Sequence, residues 1–207
     1  MHFSYSTLNM LRTSSHGWLN KVSGIEQEDK IWFKEGRDGH RIIQDHVSGR
    51  KLDPRISYLD LHFPIVETRD FDPKTKFSFE VDGYEIIGFY DGLKPKQWLE
   101  IKLSSTTWTI GKYVRSPQRW IYAYANPGLE SAVLVTGSRN PDDWKQQHLQ
   151  CMDVPATAHD REKGLEWMRG GIKIFESGDF TGGLDEQGYC HDRNCNWGKN
   201  CMFRRPL

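Results

Sequence analysis

Residues Lys76–Leu103 read KFSFEVDGYEIIGFYDGLKPKQWLEIKL, and their patterning specifies a β-rich centre. Lys76 to Val81 alternates polar and apolar residues, the period of a half-buried strand. Asp82-Gly83 is a two-residue hairpin signal. Tyr84 to Tyr90 reads as the return strand and Trp98 to Leu103 as a third strand. Residues i and i+2 of a strand share a face, so Glu100 and Lys102 point one way and Ile101 points into the opposite, apolar layer. If the return strand and the third strand are neighbours, Asp91 reaches Glu100. Two carboxylates side by side with no paired arginine repel each other. A hard divalent cation with oxygen ligands, Mg²⁺ or Mn²⁺, removes that repulsion. Lys102 beside them orients and activates a water, or stabilises charge developing on a phosphate. A bare E-x-K tripeptide is common on solvated strands. The order strand, Asp91, strand with E-x-K, then a helix bearing Gln118 and Tyr122 gives it weight.

Outward from this stretch, helical and extended patterns interleave. Ser4 to Leu19 reads as a helix capped by Ser4 or Ser6, with Leu8, Leu11 and Leu19 near one face. Ile31 to Val47 reads as a second helix stopped at Gly49. Leu52 to Pro73 is broken by Pro54, Pro64 and Pro73 and reads as irregular or short extended structure. Ser116 to Ala125 is a helix with Ser116 at its cap and Pro117 in its first turn, ended by Asn126-Pro127-Gly128. Ser131 to Thr136 is a buried-type strand with Leu149 to Val154 beside it, and Asp160 to Glu176 is a helix. The fold class is therefore α/β (α+β), a central mixed sheet flanked by helices.

The 207 residues are 37% hydrophobic, enough for one self-sufficient core, and residues 1–207 read as a single domain. No run approaches the ~18 apolar residues of a membrane span. The opening MHFSYSTLNMLRTSS lacks a charged segment followed by an apolar block, so a cytoplasmic location is expected. Lys+Arg and Asp+Glu are 28 each, so any nucleic-acid contact must be a local patch. Lys112, Arg115, Arg119 and the pair Arg204-Arg205 are its candidates. Cys190, Cys195 and Cys201 crowd the end of the chain. In a reducing compartment, clustered thiols read as a metal site before disulfides.

These motifs resemble the PD-(D/E)XK nucleases, and within them the RecB-type exonucleases. The branch is the small iron–sulfur nucleases that include the Cas-four-type exonucleases and their phage relatives. Ser4-Tyr5-Ser6-Thr7-Leu8 is similar to that family's N-terminal SYSxL, and Gly36-Arg37-Asp38-Gly39-His40 to its first motif. Asp91 matches GxxD, Glu100 and Lys102 match E-x-K, and Gln118-Arg119-Trp120-Ile121-Tyr122 matches QxxxY. Ile174 to Phe180 with the following cysteines resembles the closing segment. The likeness runs from about residue 4 to residue 203.

The resemblance implies a restriction-endonuclease-like core and a metal-dependent DNA exonuclease acting on single strands or ends, in recombination, replication or CRISPR-type processing. It implies His40, Asp91, Glu100 and the Ile101 carbonyl as metal ligands and Asp91, Glu100 and Lys102 as the catalytic set. Gln118 and Tyr122, one helical turn apart, would contact DNA, with Arg119 and Arg115 near them. His46 on the same helix competes with His40, and the glycine before His40 favours the latter. The resemblance also implies a 4Fe-4S cluster on Cys190, Cys195 and Cys201, with zinc as the alternative. It would join a subregion of residues 1–30 and 180–207. Relatives carry a cysteine soon after SYSxL. Here that register falls on Ser14, and the closing cysteines are spaced more loosely. His16 is the expected fourth ligand, with Cys151, read as a core thiol, and His191 behind it.

Two other functions compete with the nuclease reading. One is a non-catalytic DNA-binding or scaffold protein keeping the fold, against which the intact Asp91, Glu100 and Lys102 stand. The other is a zinc module for protein contacts, which accounts for the cysteines alone.

Overall fold

A computed structural model of the chain describes residues 1–13, 15–27, 31–67, 73–105, 108–144 and 149–178. The alternating stretch forms the hairpin β3 (Lys76–Val81) and β4 (Tyr84–Phe89). Asp82 and Gly83 both take positive φ, 49° and 83°, as a tight twisted turn requires. The short strand β1 (His2–Phe3) runs parallel to β4, giving a three-stranded sheet ordered β1-β4-β3.

The hairpin does not continue into the E-x-K strand. β6 (Gln97–Ser104) belongs to a second, five-stranded sheet with β2 (Ile65–Val66), β5 (Gly92–Lys94), β7 (Ser131–Ser138) and β8 (Gln150–Pro155), ordered β2-β5-β6-β7-β8. β6 and β7 are parallel over eight residues, and the other pairs are antiparallel. The neighbour of β6 is thus β5, not β4. Asp91 sits at the step where the chain leaves one sheet for the other.

The five-stranded sheet is the middle layer. Trp98, Ala132, Leu134 and Val154 face one core, closed by β3, β4 and the helices α1 (Tyr5–Thr13), α5 (Pro117–Ala125) and α6 (Ala158–Ser177). Leu99, Ile101, Val133 and Val135 face the other, closed by α3 (Ile31–Val47) through Ile43 and Val47 and by Ile56, Phe63 and Trp144. Ile101 therefore lies opposite Glu100 and Lys102, as period-two geometry requires.

α1 is followed by α2 (Ser15–Val22), and the N-terminal segment is not one straight helix, because Lys21 Nζ donates to the Thr7 hydroxyl at 3.2 Å, 14 residues away and out of reach along a single helix. A short helix, α4 (Ile110–Val114), precedes α5. In α6, Thr157 and Asp160 form a reciprocal capping box, and Gly178 ends the helix in the left-handed conformation, φ 65°. Among the described residues no helix is long and apolar enough to cross a membrane.

Candidate active site

Asp91 is held from every side. Its Oδ2 accepts from the Ile101 backbone N–H at 2.7 Å. Its main-chain oxygen accepts from Gln44 Nε2 at 3.0 Å and from the Glu67 N–H at 3.1 Å. Its Oδ1 stands 3.6 Å from His40 Nδ1. His40 and Gln44, one helical turn apart on α3, thus meet the same residue. Gly39 lets them approach: a Cβ there would fall 2.5 Å from Leu103 Cδ1 and 3.2 Å from the Trp144 ring. His46 is engaged elsewhere, its Nδ1 accepting from the Asp53 N–H at 3.1 Å. Of the two competing histidines, His40 is the one that faces Asp91.

Glu100 is 1% exposed. Its Oε1 pairs with Lys102 Nζ at 2.5 Å, while its Oε2 has no hydrogen-bond partner among the described residues. Lys102 Nζ also donates to Gln118 Oε1 at 2.6 Å. Gln118 Nε2 donates to the Tyr122 hydroxyl at 3.0 Å, and that hydroxyl donates to the Phe89 carbonyl at 2.8 Å. The chain Phe89–Tyr122–Gln118–Lys102–Glu100 ties α5 and β4 to the E-x-K face.

The electrostatics follow from burial. Burial pushes the Glu100 carboxyl up, and Asp91 adds to this while Lys102 offsets part of it. Burial also works on Asp91, but His40, Lys102 and the Ile101 N–H outweigh it and hold that carboxyl below its ordinary range. Burial disfavours the Lys102 ammonium, yet the attraction of Glu100 wins and raises its pKa. The site thus holds one carboxylate kept charged, one whose pKa burial raises, and an ammonium paired with the latter.

A divalent cation fits the chemistry of these donors. The unpartnered, buried Glu100 Oε2 is an acceptor without a proton to accept, and Asp91 Oδ1 and His40 Nδ1 lie beside each other. Among the described residues, no group of three His, Cys, Asp or Glu side chains is gathered tightly enough to hold a cation as it stands.

A residue that the sequence patterns missed belongs here. Glu67 is joined to Asp91 through its N–H, and its carboxyl is pushed up to about 7, first by burial, then by the Asp91 charge, with His40 opposing. It lies in the proline-broken stretch before β3, where no local pattern singles it out.

Several expectations need correction. Arg119 is 2% exposed and makes a two-pronged ion pair with Asp160, at 2.6 and 2.8 Å, with Pro155 and Val114 carbonyls taking further donors. It is an interior brace and reaches no groove. Tyr122 is also buried, its ring packed edge-on against Phe77 and Tyr90 at 5.3 and 5.1 Å. Its hydroxyl and Gln118 are turned toward Lys102. Arg115 and Lys112 are exposed, with Lys112 over the Trp108 ring at 4.4 Å. Cys151 is exposed, because β8 is an edge strand and its alternate residues leave the core. Cys190, Cys195, Cys201, His191, Arg204 and Arg205 lie outside the described residues, as does the side chain of His16.

No family model matches the chain, and no curated protein matches it. Solved structures do. A candidate exonuclease from Eubacterium rectale aligns over 100% of this chain and 90% of its own, with a TM-score of 0.52 and 11% identity. The alkaline exonuclease LHK-Exo from Laribacter hongkongensis covers 92% of this chain and 95% of its own at TM-score 0.45 and 15% identity. LHK-Exo in complex with dAMP aligns over the same shares at 0.47 and 14%. The first likeness establishes a shared fold, at an identity that by itself transfers no activity.

Proposed function

We propose that this chain is a divalent-metal-dependent deoxyribonuclease that hydrolyses phosphodiester bonds of single-stranded DNA or DNA ends. The observation that carries the reading is a pair of neighbouring contacts, His40–Asp91 and Lys102–Glu100, joined by the Ile101 N–H bond to Asp91, with the buried Glu100 Oε2 left without a partner among the described residues. An unpaired buried acceptor costs about 1–3 kcal/mol, a cost that a cation bound at Glu100 Oε2 would offset. The shared fold with the Eubacterium rectale candidate exonuclease supports the same reaction class.

His40, Asp91, Glu100 and the Ile101 carbonyl would hold the cation, which supplies charge neutralisation at a phosphate when bound. The Ile101 N–H engages Asp91 Oδ2, leaving Oδ1, 3.6 Å from His40 Nδ1, for the cation. Gln118 holds the Lys102 ammonium near the carboxylates, where it can steady a phosphate oxygen or a water. Gln118 and Tyr122 act through Lys102 as positioning residues, and contact with DNA falls to other side chains. Cys190, Cys195 and Cys201 would form a separate iron–sulfur or zinc centre, a reading that rests on their clustering alone.

The test is degradation of an end-labelled single-stranded oligonucleotide with Mg²⁺ or Mn²⁺. Cleavage should stop on chelation and be lost in Glu100→Ala with DNA binding retained. Full cleavage by Glu100→Ala would reject this site, and no cleavage by the wild type with either metal would favour a binding protein that keeps the fold.

A further inference from the structure

A cavity of about 1130 Å³ opens between α3 and the end of β6. Its lining includes His40, Gln44 and Glu67, three of the residues that meet Asp91, so it is continuous with the site above. On the side away from Asp91 the wall is aromatic. Trp32 and Phe33 stand with ring centroids 6.3 Å apart, and the Arg139 guanidinium lies 5.7 Å from the Trp32 ring. The lining carries five cations, Lys34, Arg37, Arg41, Arg50 and Arg139, against three acids, Asp38, Asp45 and Glu67. That local excess of two stands on a chain whose net charge is zero.

We infer that this cavity seats the unpaired bases of a DNA strand whose backbone runs on to the Asp91–Glu100 site. The inference rests on the nuclease reading for the strand's destination and deepens it by assigning the strand's bases a seat at Trp32, Phe33 and Arg139. Aromatic faces and guanidinium planes stack on bases of any sequence, and bases offer a face only when they are out of a duplex. The arginines add the backbone attraction that every strand provides. The ion pairs Arg41–Asp38, at 3.0 Å, Arg50–Asp45, at 2.9 Å, and Arg139–Glu35, at 3.5 Å, are partly exposed, and pairs of that kind yield readily to a phosphate. The cavity also explains why the α5 arginine is not a DNA contact: the positive face is on α3, across the sheet from Arg119.

The experiment is binding of a 2-aminopurine-labelled single strand in EDTA, where metal-dependent cleavage cannot run. The fluorescence of the base reports stacking directly. Trp32→Ala should raise Kd about 5- to 100-fold and relieve quenching. Arg37→Gln and Arg139→Gln should each lower the salt dependence of log Kd by about 0.7. Lys173→Gln, on the exposed face of α6, should bind as wild type. Duplex of the same sequence should be insensitive to Trp32→Ala. Unchanged single-strand affinity in Trp32→Ala, or equal loss on single strand and duplex, would overturn the inference. If Trp32→Ala does not fold, unchanged salt slopes in both arginine variants overturn it instead. Because no cleavage is read, a protein that binds as described but never hydrolyses DNA would sink the nuclease reading and leave the binding site standing.

Discussion

Replacing Arg119 separates an interior brace from a DNA contact. Its guanidinium is almost fully buried and shares two hydrogen bonds with Asp160, which also accepts from the Thr157 N–H and hydroxyl at 2.8 and 2.7 Å. Arg119→Met leaves the Asp160 carboxylate buried with Thr157 alone and strands the Pro155 carbonyl. Removing one partner of a buried pair costs about 3–5 kcal/mol. At about 2–4 °C per kcal/mol for a chain of this length, Tm should fall by about 6–20 °C. The double variant Arg119→Met/Asp160→Leu should recover most of the loss, since two apolar side chains remove both buried charges together. Circular dichroism melts of the three proteins, with single-strand affinity measured well below Tm, make the test. A Tm within about 2 °C of wild type, together with weakened DNA binding, would refute the structural reading and restore Arg119 to the groove.

Two further outcomes follow from the same packing. Tyr122→Phe should keep the fold but lower cleavage a few-fold, because Gln118 loses the hydroxyl that orients it toward Lys102, whereas Tyr122→Ala should lower Tm by opening a cavity among Phe77 and Tyr90; melts paired with cleavage rates read both, and a harmless Tyr122→Phe would break the proposed relay. Burial raises the Asp160 carboxyl, but the Arg119 and Thr157 hydrogen bonds outweigh it and hold it below its ordinary value of 3.8, so its stabilisation is complete above that pH and is lost as pH falls through the folded value. Urea midpoints between pH 5 and pH 2 should therefore fall less steeply in the double variant than in wild type, and equal slopes would contradict this.

The parts of the molecule legible from sequence are those with local signals. The β3–β4 hairpin shows in period-two alternation around Asp82-Gly83, and α3 shows in its apolar spacing with Gly49 beyond. β5 and α4, three and five residues long, are too short to carry a period. Missing β5 made the hairpin look like the neighbour of β6, although Asp91 reaches Glu100's strand all the same, through the Ile101 N–H. Motif order singled out His40, Asp91, Glu100 and Lys102 as candidates, and the fold pairs His40 with Asp91 and Lys102 with Glu100. Glu67 was not, because its link to Asp91 is a main-chain bond that leaves no mark on residue type. Arg119 was misread for a related reason. A lone helix arginine gives no sign of an acid far along the chain, although the Thr157–Asp160 capping box does mark a carboxylate at a buried helix start.

If Glu100 serves a cation while Lys102 serves the phosphate, calorimetric titration of Mn²⁺ into wild type, Glu100→Ala and Lys102→Ala will separate the two roles. Wild type should bind the ion at a site that Glu100→Ala loses. Lys102→Ala should keep the ion, and bind it at least as tightly, because an ammonium is not a ligand and here competes for Glu100 Oε1. Its cleavage of single-stranded DNA should nevertheless be abolished. Undiminished Mn²⁺ binding in Glu100→Ala, or equal loss of the ion in both variants, would contradict the claim.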